Sequence, residues 1–227
     1  GVSQHDGMAG VRQQSASVGD VLTENLQTGA IVGAAAYVVG YLVTFLLTVI
    51  DGVESAGEFA TWKAVGWVFY GAHNVQLSST QSAAGQSRSQ SYGIFEMAGN
   101  DFVSAGTGLT STIPSFVYML VPVVVLLGAG YVAYQQAGVR GLETDRVAAI
   151  GASVVTGYLA LAVVGRFLFQ YSESASFGDQ SVSVTIGPEL ATAILLMGLL
   201  YPLVLGAIGA VLAQNREQNQ SAGRTGV

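Results

Sequence analysis

Four long stretches of the chain are mostly apolar and contain no Asp, Glu, Lys or Arg. They lie at residues 25–50, 102–139, 147–165 and 190–215. A helix needs roughly 20 apolar residues to cross the hydrocarbon core of a bilayer. Charged residues are only 10% of the 227 residues, and they separate these stretches. We therefore predict an all-α integral membrane protein, a four-transmembrane-helix bundle.

The predicted bundle is a single membrane domain with a tail at each end. The domain covers 25–213, between an N-terminal tail at 1–24 and a C-terminal tail at 214–227, and a long extracellular loop occupies 51–112. The first apolar run is too long for the core of a signal peptide, so we expect it to remain as an anchor. The spans are predicted at about 26–50, 113–134, 147–169 and 190–213.

The positions of Lys and Arg predict the orientation. One side of the bundle receives five arginines, namely Arg12, Arg140, Arg146, Arg216 and Arg224. The other side receives Lys63 and Arg88, with Arg166 near a helix end. Because cytoplasmic loops carry the excess of Lys and Arg, we expect a multi-pass protein of the cell membrane with both termini in the cytoplasm.

Composition and motifs exclude several classes of function. The chain has fourteen acids, eight basic residues and no Cys, for a net charge of −6, and it lacks a polybasic segment. We therefore expect the bilayer as partner, and neither nucleic acid nor anionic lipid as a specific partner. No nucleotide-binding, zinc-protease or hydrolase motif is present, so we predict no enzyme activity and no catalytic, cofactor-binding or metal-binding residue. An acid-rich, Lys-poor chain suits high salt; an acidic mesophilic protein is the alternative.

The long loop contains an aromatic segment, residues 61–75, that is too short to span the membrane. It includes both tryptophans, Trp62 and Trp67, with Tyr70 and His73. Trp and Tyr favour the headgroup level, so we predict an interfacial helix or, as the alternative, a re-entrant one. The tryptophans are expected to be membrane anchors rather than a ligand cage. His73 is expected to be a hydrogen-bonded interfacial residue, with a proton-linked switch as the alternative.

Two connections have contrasting patterns. Residues 78–92 are rich in Ser and Gln and include Gly85, which is typical of a flexible linker. Residues 180–187 alternate polar and apolar side chains, which predicts a short strand or hairpin arm.

Small and hydroxyl-bearing residues recur at helical spacing in the first and fourth spans. Small residues allow helix backbones to approach closely in lipid, so these faces are predicted to be packing surfaces. A polar lining for a substrate path is the alternative for the first span. The residues are Gly29, Gly33, Tyr37, Tyr41, Gly198 and Gly206.

Arg166 is the ionisable residue placed most deeply in a predicted span. Its side chain is long enough to snorkel to the interface. Alternatively it pairs with Glu189 at the outer start of span four, or with Glu96 or Asp101 of the loop. We take Arg166 and Glu189 as the candidate ion pair.

The segment Trp62 to His73, with the pattern W-x-x-x-G-W-x-F-Y-x-A-H, resembles a stretch in a family of uncharacterised haloarchaeal membrane proteins. In that family the segment follows the first span, and three further spans come later. The resemblance extends over the layout of about 26–213. It implies a four-span membrane fold in a halophile and transfers no site residue.

Two functional hypotheses follow. The first is a structural or accessory subunit that assembles with itself or with a larger membrane complex. The second is a small transporter or channel component. Coupled carriers usually place ionisable groups near the middle of the bilayer. The four spans have none there, which favours the first hypothesis.

Overall fold

Helices dominate the computed structural model of the protein, which describes residues 17–51, 60–95 and 113–226. Several helices are continuous with one another, and a π-helix at Ala193–Leu200 interrupts the last. The α-helices are α1 (Val18–Glu24), α2 (Leu26–Ile50), α3 (Thr61–Gly71), α4 (Ser115–Ala137), α5 (Thr144–Ala152), α6 (Val155–Leu168), α7 (Leu190–Thr192) and α8 (Tyr201–Arg224).

In the described part of the chain, four helical units are long and apolar enough to cross a membrane, as the charge-free stretches predicted. They are Leu26–Ile50, Ser115–Ala137, Thr144–Leu168 and Leu190–Arg224. We refer to them as spans one to four. Span four continues well beyond residue 213, because the polar tail extends the same helix to Arg224. Most of the predicted C-terminal tail, 214–227, therefore continues the helix of span four.

Close helix packing in the bundle depends on small residues. A Cβ atom at Gly29 or Gly33 would collide with the backbone of Ser153 or Val154, where span three changes from α5 to α6. A Cβ at Gly206 would collide with the backbone of Gly151. Three of the residues expected to form packing faces, Gly29, Gly33 and Gly206, thus lie at contacts between spans one, three and four.

A four-stranded antiparallel sheet lies at the end of the bundle where α6 stops and α7 begins. Its strands are β1 (Leu77–Ala83), β2 (Gln86–Tyr92), β3 (Tyr171–Phe177) and β4 (Gln180–Pro188). The order is β2-β1-β4-β3, so two hairpins join through the central pair β1 and β4. Within that pair, Leu77 is opposite Pro188 and Ala83 is opposite Val182.

The sheet corrects two predictions. The fold is not all-α, and residues 78–92 form a hairpin rather than a linker. The strand predicted over 180–187 is confirmed as β4. Ser and Gln at 78–92 have no apolar face that would reveal a strand, and the hairpin is ordered by backbone pairing with a strand about a hundred residues later.

The end of span one is tied to the start of span two by Asp51. Its carboxylate accepts hydrogen bonds from the Ile113 backbone N–H at 2.8 Å and from the Tyr118 hydroxyl at 2.9 Å. Tyr118 is completely buried. Glu54 and Glu58, which follow Asp51 in the sequence, lie outside the described residues.

Candidate functional site

Helix α3 packs inside the bundle instead of lying along its surface. Every residue from Ala64 to Gly71 is buried. The ring of Phe169 fills the space beside Gly66, so that a Cβ there would overlap it. The Trp67 indole N–H donates to the Phe169 carbonyl at 2.6 Å. The helix is therefore anchored to the end of span three.

The two tryptophans have different environments, which corrects the expectation that both are interfacial anchors. Trp67 is 1% exposed and Trp62 is 45% exposed. The hydrogen bond from Trp67 to a backbone carbonyl satisfies its only polar group, so the ring can lie in the core. Trp62 alone has the partly exposed ring of an anchor, and its carbonyl accepts from Tyr41 at 2.9 Å.

The chain reverses direction directly after α3, and the reversal positions His73. The backbone N–H of His73 donates to Tyr70 at 3.0 Å, and that of Asn74 donates to Gly71 at 2.9 Å. Asn74 has φ +61°, a left-handed conformation that Asn tolerates better than most residues. Its side-chain amide donates to the Tyr201 hydroxyl in span four at 2.8 Å.

His73 lies at the centre of the bundle and is completely buried. Its Nδ1 is 2.7 Å from the Phe69 carbonyl, and its Nε2 makes a close hydrogen bond with the Tyr158 hydroxyl. The ring centroids of Phe69 and Tyr201 are 5.0 and 5.1 Å from that of His73. His73 therefore makes hydrogen bonds, but its side chain is buried inside the bundle rather than exposed at its surface.

The hydrogen-bond partners fix the form of the imidazole. A carbonyl only accepts, so Nδ1 carries the proton and donates to Phe69, while Nε2 accepts from Tyr158. Burial lowers the pKa of His73 to about 3, because the cation would lose its hydration. His73 is therefore a neutral residue with both ring nitrogens occupied.

A second chain of hydrogen bonds runs beside the histidine. The Tyr70 hydroxyl donates a hydrogen bond to the Ala162 carbonyl at 2.6 Å. It therefore accepts a hydrogen bond from the Tyr37 hydroxyl, 2.9 Å away. A Cβ at Gly165 would overlap both hydroxyls, which is why this position needs glycine. Burial raises the pKa of Tyr70 far above its ordinary value.

We call these residues the His–Tyr network: Tyr37, Tyr70, His73, Tyr158 and Tyr201. The network connects α3 with spans one, three and four through side chains that are buried or partly buried. Three of its side chains, Tyr70, His73 and Tyr158, have no contact with solvent. The arrangement orders the interior and offers no open reactive group.

Arg166 and Glu189 are close in the fold but have different partners. The Arg166 guanidinium donates to the Pro188 carbonyl at 2.9 Å and to the Gln170 side chain at 3.0 Å. Glu189 accepts from the Ser91 hydroxyl of β2 at 2.9 Å. The ion pair proposed between them is thus absent here, since each side chain finds a nearer neutral partner. Glu96 and Asp101, the other partners considered, lie outside the described residues.

Sequence reasoning singled out His73, Tyr70 and Tyr37 but missed Tyr158 and Tyr201. Both are tyrosines inside otherwise apolar spans, and a phenol hydroxyl there needs a hydrogen-bond partner. That requirement was the available signal. It did not identify the partner, since His73 is 85 residues from Tyr158 in the chain.

A groove of about 530 Å³ lies at the opposite end of the bundle, between the ends of spans two and four. Arg140 and Glu217 form an ion pair on its wall with 3.4 Å between nitrogen and oxygen, the only one among the described residues. Tyr134 also donates to Glu217, at 2.9 Å. The groove is wide and polar, in contrast to the His–Tyr network.

The fold defines a class of protein: a helical bundle with four helices long and apolar enough to span a membrane, an internal short helix and a small sheet at one end. The chain belongs to DUF7978, a family of unknown function whose profile matches residues 8–217. It matches no curated protein and no solved structure.

Proposed function

We propose that this protein is a structural or accessory subunit of the cell membrane, assembling with itself or with a larger membrane complex. The observation that carries the proposal is the filled interior. Where a substrate path would have to cross the bundle, α3 and the His–Tyr network occupy the space, with Trp67, Tyr70 and His73 at most 1% exposed. The outer surfaces are what remains for interaction.

Those surfaces have the properties of an assembly component. Span one directs large apolar side chains outward, with Leu46 60% and Val49 61% exposed. At the sheet, β2 and β3 are edge strands, each hydrogen-bonded to one neighbour. Apolar helix faces suit lipid or a partner helix, and polar edge strands suit a partner outside the bilayer.

The proposal includes the topology and setting predicted above. Both termini are placed in the cytoplasm and the sheet outside, in a halophilic cell, with no role in binding nucleotide or nucleic acid and no enzymatic activity. Acidic residues outnumber basic ones by fourteen to eight, which supports the high-salt setting. Protease digestion of sealed vesicles tests the orientation: cleavage of the C-terminal tail from outside would reverse it.

Purification in a mild detergent tests assembly. We expect the tagged chain to elute as a homo-oligomer, or with one stoichiometric membrane partner, when its mass is measured by light scattering and native mass spectrometry. A monomer without partner over a range of mild detergents contradicts the proposal. An Arg140→Gln variant is a useful control, because this exposed position lies at the far end from the sheet.

Transport is the second candidate, and one observation favours it. Two of the spans are interrupted. Span three is broken between α5 and α6, and span four contains the π-helix Ala193–Leu200. Broken helices frequently form substrate sites in transporters. Proteoliposome flux assays with ions and small solutes distinguish the two, since an accessory subunit alone gives no flux above empty liposomes.

A further inference from the structure

Two cations meet at the sheet end of the bundle, at the point where span three ends. Lys63 is in the first turn of α3 and Arg166 is two residues before the end of α6. The Lys63 ammonium donates to the backbone carbonyl of Gln170 at 2.8 Å, and Arg166 donates to the side-chain carbonyl of the same Gln170 at 3.0 Å. One glutamine thus holds both positive groups.

Within the described part of the chain, neither cation has an acidic partner: no carboxylate there lies within 4.0 Å of Lys63 or Arg166. Their partners are neutral carbonyls of Gln170 and Pro188. In a chain with net charge −6, two adjacent cations with no acid beside them among the described residues form a local excess of positive charge.

The cations also retain unused donors. An ammonium has three N–H groups and a guanidinium has five. The hydrogen bonds to Gln170 and Pro188 use one N–H of Lys63 and two of Arg166. Both side chains are only partly buried, so the remaining donors have access to a ligand. Phosphate oxygens suit both groups, and the planar guanidinium can bind two of them together.

Exposed apolar side chains flank the pair. Trp62 is 45%, Phe167 55% and Leu168 58% exposed. The Lys63 nitrogen is 5.4 Å from the centre of the Trp62 ring, and the Arg166 guanidinium carbon is 4.9 Å from that of Phe167. These contacts hold the cations beside surface that acyl chains can cover. A soluble phosphate would gain nothing from that apolar surface.

From this geometry we propose that Lys63 and Arg166 form a binding site for the phosphate of an anionic phospholipid. The headgroup phosphate lies between the two cations, and the acyl chains run along Phe167 and Leu168 beside span three. A zwitterionic headgroup binds less well because its own ammonium competes for the phosphate and is repelled by the cations. The site requires the helices to span a bilayer and is independent of the proposed assembly role.

Lipid retention by the purified full-length chain tests the site. Delipidated protein in neutral detergent is titrated with phosphatidylglycerol or phosphatidylcholine, and bound lipid is counted by native mass spectrometry. We expect preferential binding of phosphatidylglycerol to the wild type. The double variant Lys63→Gln/Arg166→Gln should bind it about tenfold more weakly, since it loses two charge-assisted interactions. The matched control Arg88→Gln removes an exposed cation from the same end and should bind as the wild type does.

Three results would overturn the proposal. Equal binding of the two lipids would show that the protein does not prefer the anionic headgroup. An unchanged affinity of the double variant for phosphatidylglycerol would show that Lys63 and Arg166 do not bind it. Competition by inorganic phosphate at the same potency as phosphatidylglycerol assigns the site to free phosphate instead.

If the double variant does not fold, the single variant Lys63→Gln replaces it, because the only hydrogen bond that Lys63 makes among the described residues is to the Gln170 carbonyl. A several-fold loss of affinity for phosphatidylglycerol is then expected. The experiment measures the lipid bound to each copy of the chain, so its result does not depend on whether the protein assembles as proposed above.

Discussion

Helix α3 and the four-stranded sheet are neighbours in the chain, yet opposite principles hold them. In α3, eight consecutive residues from Ala64 to Gly71 are buried, and side chains such as those of Phe69 and Tyr70 contact span one. In β2, six of the seven residues are exposed, and the strand is held by its backbone ladder to β1. Side-chain packing depends on each residue, whereas a ladder is nearly independent of side-chain identity. Substitutions should therefore affect stability very differently in the two regions.

The largest expected effect is at Gly66 of α3. Gly66→Leu places a branched side chain into the ring of Phe169, and overpacking a core of this kind costs about 3 kcal/mol. Thermal unfolding in detergent, followed by circular dichroism, should show a Tm lower by about 10 °C. Gly128→Leu is the matched control, since no neighbouring atom lies within 4 Å of a Cβ there. Equal Tm values for the two variants would mean that α3 is not tightly packed.

The second effect is a pH dependence that belongs to His73. Its pKa is about 3 in the fold and about 6.5 when unfolded, so the unfolded chain takes up a proton first. Stability is full above pH 6.5 and falls as the pH drops, by roughly 2 kcal/mol at pH 5. The rings around it are those of Phe69, Tyr158 and Tyr201, and none of them carries a carboxylate.

A His73→Gln variant separates this effect from the titration of carboxylates. Both chains are unfolded at pH 7 and pH 5, and the difference in their pH slopes belongs to His73. We expect the variant to lose less stability than the wild type between these values. Parallel slopes would contradict a neutral, buried histidine.

The third effect is the loss of one hydroxyl from the His–Tyr network. Tyr70→Phe leaves the Tyr37 hydroxyl without its acceptor in a buried position and should cost about 1–2 kcal/mol. Tyr131→Phe removes a hydroxyl that accepts from the exposed Arg216 and should cost under about 0.5 kcal/mol. If both variants lose the same stability in thermal unfolding, a hydroxyl of the His–Tyr network stabilises the fold no more than one at the surface.

The smallest effect is expected in the sheet. Thr80→Ala removes an exposed cross-strand hydrogen bond to Ser89, 3.0 Å long, while the backbone ladder remains. The expected cost is about 0.3 kcal/mol. A loss comparable to that of Tyr70→Phe would show that side chains hold the sheet as they hold α3, and the contrast between the regions would fail.

The contrast also explains what could be predicted from the sequence. The spans follow from one physical requirement, the absence of charge over a bilayer's width, and all four apolar stretches became long helices. The alternation in 180–187 predicted β4 because Val182, Val184 and Ile186 place apolar side chains on one side of that strand. Residues 78–92 have no such apolar row, so β1 and β2 left no periodic signal and their composition indicated a linker.

The interior site was predictable only in part. The aromatic segment and His73 were recognised, but an aromatic helix too short to span has two possible fates, the interface or the interior. The deciding facts are contacts with distant residues, such as the carbonyl of Phe169 for Trp67 and the hydroxyl of Tyr158 for His73. Pairings of this kind depend on how the spans pack, which local sequence does not encode.

The central strand pair has a consequence for how the protein is made. Strand β1 ends at Ala83, and its partner β4 begins at Gln180, so two complete spans are synthesised between them. Until then one edge of β1 has no partner, and the entropy of closing so long a loop opposes its pairing. The backbone N–H of Glu189, the residue before span four, donates to the Gln76 carbonyl and completes the junction. The sheet therefore closes only after spans two and three have been synthesised, and its closure brings the connection before span two and the connection after span three together.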